Sequence, residues 1–139
     1  MPTNQRTYLP NDQIPCGFAV VLAQELRVRD WRIRIEDMLG AIAKVQRYTE
    51  TLSQDQFLKD EKTLDATVRN LIVIGEAARH VPDEIMQRYP DVPWRRMQGL
   101  RNLAVHEYFG VDSAILWETI KRDLPPLLPH LRRILEESK

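Results

Sequence analysis

Cysteine occurs once, at Cys16, so no disulfide can form within the chain, and the sequence suits a reducing compartment. Net charge is missing as well: Lys and Arg number 20, Asp and Glu number 20. A neutral chain has no long-range field to gather nucleic acid, so any RNA or DNA contact must come from a local patch of modest, salt-sensitive affinity. Long apolar runs are also missing. The stretch GFAVVLA at 17–23 falls far short of the roughly 20 residues a spanning helix needs. One preceding Arg and no small-residue cleavage pattern argue against a signal peptide. The expectation is a cytoplasmic protein with no membrane partner. Glycine is sparse, at five residues. Neither G-x-x-x-x-G-K-[ST] nor G-x-G-x-x-G occurs, so no nucleotide cofactor bound through a Gly-rich loop is expected. Strand-like alternation, repeats and low-complexity segments are absent too.

What is present is helical periodicity. At 139 residues the chain is sized for one domain, enough to bury about two-thirds of its unfolded surface. Residues 1–29 read as an N-terminal extension, poorly ordered or a short helix, because MPTNQRTYLPNDQIPCG has no period. Residues 30–139 read as the helical domain. Asp30 is a candidate N-cap, followed by an apolar stripe of Trp31, Ile35, Met38, Ile42 and Val45. Ser53 and Gln56 have capping-box spacing for a short helix. A third helix is expected over 61–81, its middle LIVIG apolar nearly all round and hence the most buried. Pro82 and Pro90 bracket a short piece, and Pro93 opens the next helix, which should end near Gly110. Asp112 or Ser113 caps another. Pro125, Pro126 and Pro129 should break or kink the chain after Asp123, before LLPHLRRILEESK returns to helical spacing. The expected fold class is all-α, a bundle of four to five main helices.

The stretch LRNLAVHEYFG at 100–110 carries the chemistry. At about 100° per residue, Arg101 and Tyr108 fall within roughly 20° of one another, and Asn102 and His106 form an i, i+4 pair on the same broad arc. Arg101 is permanently cationic, with a planar fork that holds two phosphate oxygens. His106 has an intrinsic pKa near neutrality, as a proton carrier requires. Metal-free RNA cleavage needs a base for the 2′-hydroxyl, an acid for the leaving 5′-oxygen and a cation for the phosphorane charge. One His fills one proton role at a time, so a symmetric homodimer that joins two such helices would supply both. Spacing by itself equally admits a wet edge on a core helix.

RNLAVHEY has the form R-x4-H-x-Y with a polar residue after the Arg, and it resembles the HEPN superfamily motif. More narrowly, the chain resembles the HepT-like toxins paired with MntA-type minimal nucleotidyltransferases. The segments DWRIRIEDMLGAI, NLIVIGEAARHVP, VPWRRMQGLRN, HEYFGVD and ILWETIKRDLPPL carry the likeness over residues 30–136. The resemblance implies a HEPN-type helical bundle, homodimeric, with two motif helices forming one composite cleft. It implies a metal-independent endoribonuclease toxin of a type II toxin–antitoxin system, with RNA as substrate and Arg101 and His106 catalytic. Asn102 would orient substrate or the imidazole. Tyr108 would be the AMPylation site, where an MntA-like nucleotidyltransferase antitoxin attaches AMP to silence the toxin. An alternative from a different class is a non-catalytic helical binding module that serves mainly as partner and AMP acceptor.

Other residues weigh less. Arg95 and Arg96 make the region basic and are candidate RNA contacts, although three arginines also suit a solvated face. Glu76 and His80 have an i, i+4 spacing that can hold a metal. With no H-E-x-x-H, cysteine cluster or third ligand, no metal site is expected, and Glu76 reads as a partly buried polar contact beside a close helix approach at Gly75, Ala77 and Ala78. Trp31, Trp94 and Trp117 read as core or interface.

Overall fold

The computed structural model describes backbone over 16–108 and 113–139, and side chains over 31–106 and 113–139. Its elements are α1 (Cys16–Thr49), α2 (Gln54–Lys59), α3 (Glu61–Arg79), α4 (Asp83–Arg88), α5 (Trp94–Tyr108), α6 (Ser113–Glu118), a π-helical turn (Thr119–Asp123) and α7 (Leu127–Glu137). Among the described residues there is no strand, and the fold is all-α. Residues Met1–Asp30 and Trp31–Lys139 form two compact units, and every candidate functional side chain belongs to the second.

Asp30 does not start a helix. It lies inside α1, because the residues from 18 to 39 contain neither Gly nor Pro to interrupt the backbone ladder. The stripe read from the sequence holds: Ile35, Met38, Ile42 and Val45 are fully buried, with Trp31 packed partly against the core. Ser53 and Gln56 form the expected reciprocal capping box, which satisfies two backbone donors at the start of α2. Asp60 caps α3 by accepting from the Thr63 backbone N–H at 3.2 Å. α3 is heavily buried through Val68, Leu71, Ile74, Ala77 and Ala78.

Gly75 sets the spacing of the central pair. A Cβ built there would lie 2.8 Å from the Arg101 backbone N and 3.2 Å from the Gln98 carbonyl O. These are backbone atoms and cannot swing aside, so α3 and α5 approach closely only because residue 75 has no side chain. α5 packs chiefly along α3.

The prolines act differently from a simple break. Pro125 offers no N–H, and its ring would clash with the carbonyl four residues back. The chain responds by widening into the π turn, where the Leu124 N–H bonds the Thr119 carbonyl at 3.1 Å. Pro129 lies in the first turn of α7, where a missing N–H costs nothing, so it does not kink the helix. The π turn also directs Lys121 onto the end of α1. Its Nζ donates to the Thr49 carbonyl at 3.1 Å and sits 4.7 Å from the Trp117 ring centre, placing a cation at a helix C-terminus. Trp117 in turn packs on Phe57, with ring centres 5.2 Å apart.

Around α4 and α7, Arg133 pairs with Asp91 at 3.2 Å and lies over the Tyr89 ring, whose hydroxyl donates to Glu137. The Asp91 carboxyl is held below its ordinary value of 3.8, first by its own backbone N–H and then by Arg133.

Gly75→Ala should lose about 1–3 kcal/mol through overpacking against fixed backbone. Gly40→Ala, where a Cβ meets nothing within 4 Å among the described residues, should instead gain about 0.5–1 kcal/mol through helix propensity; urea unfolding of both variants checks the opposite signs. Because the folded-state pKa of Asp91 is depressed, its stabilisation is present above the ordinary carboxyl range and disappears as pH falls through the folded value. Asp91→Asn should therefore lower the urea midpoint at pH 7, by an amount that shrinks as pH falls below the ordinary carboxyl range.

Candidate active site

α5 begins with a fixed anchor. The Trp94 indole is buried and donates to the Tyr89 carbonyl at 3.0 Å, while the Met97 N–H bonds the Pro93 carbonyl at 3.0 Å. Trp94, Met97, Leu100 and Ala104 then bury one side of the helix, at steps of three or four residues. With that side committed to the core, the polar residues have no choice of direction. Arg95, Arg96, Arg101, Asn102 and His106 are all exposed.

At about 100° per residue, Arg95, Asn102 and His106 lie within roughly 40° of one another and form one outward stripe. Arg101 stands roughly 100–140° round from Asn102 and His106, on the flank that faces α3. There its Nε lies 3.0 Å from Glu76 Oε1. Arg79 approaches the same oxygen at 3.9 Å. Arg96 turns to the other flank, where it lines a groove of about 390 Å³ with Pro93, Met97, Leu103, Arg122 and Leu127. The two arginines between Trp94 and Met97 are thus separated: Arg95 joins the stripe and Arg96 does not. The side chain of Tyr108 lies outside the described residues, although its backbone ends α5.

The chain matches the family described as Ribonuclease HepT-like over residues 38–134. It belongs to the HepT-like ribonuclease family. It is 40% identical over 93 residues to a protein of Thermococcus cleftensis named "Probable ribonuclease HepT", an alignment covering 67% of this chain and 84% of the relative. A Caldanaerobacter subterraneus subsp. tengcongensis protein provisionally named an RNase is 40% identical over 88 residues, 63% of this chain and 79% of its own. A third, from Methanocaldococcus jannaschii and likewise provisionally named an RNase, is 34% identical over 109 residues, 78% of this chain and 90% of its own. No solved structure matches the chain significantly. The matched region contains α5 entire.

Reading the sequence alone missed the partner of Arg101. Glu76 and His80 have a metal-like spacing, yet their side chains diverge: the His80 Nδ1–H donates to the Glu76 backbone carbonyl at 2.8 Å, whereas the carboxylate reaches Arg101. Among the described residues no three His, Cys, Asp or Glu side chains gather as a metal group would. Gly75 was the available signal, since a glycine one residue before Glu76 brings α5 close enough for the pair. Among the described residues no helix is long and apolar enough to cross a membrane.

The Arg101 and Glu76 side chains are 48% and 40% exposed, so their ion pair is screened by water and worth at most about 1 kcal/mol. Arg101→Ala should accordingly shift the unfolding free energy by less than about 1 kcal/mol in denaturant titrations, which separates any functional loss from misfolding.

Proposed function

We propose that this HepT-like endoribonuclease cleaves RNA without a metal, using Arg101 and His106 at a cleft completed by a second copy of the chain. The observation that carries the reading is the sorting of α5: buried residues on one side, Asn102 and His106 exposed on the outward stripe, and Arg101 exposed on the flank beside them. His106 of one copy takes the proton from a ribose 2′-hydroxyl, and the 2′-oxygen attacks the adjacent phosphorus. The P–O5′ bond breaks, and His106 of the second copy protonates the departing 5′-oxygen. Arg101 meets the negative charge that gathers on the phosphoryl oxygens. The products are a 2′,3′-cyclic phosphate and a 5′-hydroxyl. Asn102 orients the substrate or the imidazole, and Arg95, on the same stripe, extends the contact along the RNA backbone.

A homodimer is favoured by two features of α5 and α6. Val105 and Ile115 are large apolar side chains left 39% and 54% exposed. Gly99 stands in the interior of α5 with nothing among the described residues within 4 Å of where a Cβ would be. Glycine there weakens the helix by about 1 kcal/mol with no need among the described residues, which suits close approach by another molecule.

Control is by a partner. A nucleotidyltransferase antitoxin of MntA type transfers AMP from ATP to the Tyr108 hydroxyl, forming a phosphodiester and releasing pyrophosphate. The added anion on the Arg101-bearing helix competes with RNA for the cleft. In the cell the chain thus acts as the toxin of a toxin–antitoxin pair.

Incubating the purified chain with a mixed RNA pool in EDTA tests the reading. The parent should leave 2′,3′-cyclic phosphate ends, and His106→Ala should lower the rate by about 10²–10⁴-fold with helical content unchanged. Tyr108→Phe should keep the nuclease activity and no longer accept AMP. Undiminished cleavage by His106→Ala would overturn the mechanism. No cleavage by a folded, dimeric, unmodified parent would leave the binding-module reading in its place.

A further inference from the structure

We infer that Glu76 is a positioning residue for the cleavage reaction: its carboxylate holds the Arg101 guanidinium by the Nε edge and aims the rest of the fork at the scissile phosphate. The inference rests on the proposed role of Arg101. Nε lies 3.0 Å from Glu76 Oε1, and a guanidinium gripped through Nε still has its two terminal nitrogens to offer a phosphate.

The base of this arrangement is rigid. Gly75 brings the backbones of α3 and α5 into contact, with a built Cβ only 3.0 Å from the Arg101 Cβ. Glu76 therefore rises from α3 directly beside the start of the Arg101 side chain. An arginine carries several rotatable bonds and would otherwise sample many directions from an exposed helix face. Fixing it before substrate arrives removes that freedom in advance, which is what transition-state stabilisation by a preorganised cation requires.

Stability does not account for the pair, because both partners are too exposed for it to contribute much. Electrostatic attraction of RNA does not account for it either. A carboxylate beside a phosphate-binding arginine repels the substrate and should weaken ground-state binding. Arg79, at 3.9 Å from the same oxygen, offsets only part of that repulsion. A group that costs substrate affinity and adds little stability is explained by what it does for the geometry of Arg101.

This yields a signature that other roles do not share. Glu76→Ala should lower kcat about tenfold to a hundredfold, the scale on which small misplacements of a catalytic group act. Its affinity for an uncleavable oligoribonucleotide with 2′-O-methyl riboses should be equal to the parent's or severalfold tighter. Glu76→Gln, which keeps an acceptor oxygen at the same reach, should recover most of the lost rate. Circular dichroism and unfolding midpoints of both variants confirm that the fold is intact. Cleavage by Glu76→Ala within twofold of the parent, or faster, would overturn the inference, as would loss of binding in proportion to loss of rate. Arg101→Ala, measured alongside, keeps the two levels apart. If it abolishes cleavage while Glu76→Ala is unaffected, only the positioning role fails; if Arg101→Ala cleaves normally, the proposed role of Arg101 fails and the inference with it.

Discussion

The contact on which the rest depends is the approach of α3 to α5 at Gly75. Two helices that meet through ordinary side chains run 8–10 Å apart. Here backbone atoms of Gln98 and Arg101 stand where the side chain of residue 75 would be. That contact sets the register of α5 against the most buried helix of the bundle. It determines which residues of α5 look inward, and it brings Glu76 within reach of Arg101. A methyl group at residue 75 would disturb the core and the candidate site through the same atoms.

The division of α5 into faces follows from this register. Trp94, Met97, Leu100 and Ala104 are buried, and about 25 cal/mol per Å² of apolar area removed from water makes any rotation of the helix expensive. The polar side chains inherit their directions from that commitment. Arg101 stays on the flank toward α3, Asn102 and His106 face outward, and Arg96 is turned toward the groove with α7. No polar contact on the outer face needs to be strong for the arrangement to persist, since the apolar side holds it.

The C-terminal third supports the bundle by a different device. Pro125 denies the backbone a regular continuation, and the resulting π turn ties Lys121 to the last carbonyl of α1. Arg32, near the first described side chains of α1, donates to the carbonyl and hydroxyl of Ser138 beyond the end of α7. Arg32 and the last carbonyl of α1 are thereby both joined to the C-terminal segment through charged donors on backbone or hydroxyl oxygens, which are stronger than neutral hydrogen bonds.

The sequence by itself determined the all-α class, the core stripe of α1, the capping box at Ser53, the burial of α3 and the place of the R-x4-H-x-Y segment on a helix. Each of these is written in local periodicity or in a capping or proline rule, and such rules act over a few residues. It misjudged Asp30, because an N-cap signal is only a permission and an uninterrupted run of helix formers overrode it. It overstated Pro129, because a proline's effect depends on where a helix begins. Only the tertiary structure decided that the Glu76 carboxylate reaches Arg101. That outcome depends on how two helices 25 residues apart in sequence are set against one another: Gly75 marks a close approach in the sequence, but which helix makes it, and in what register, is a property of packing.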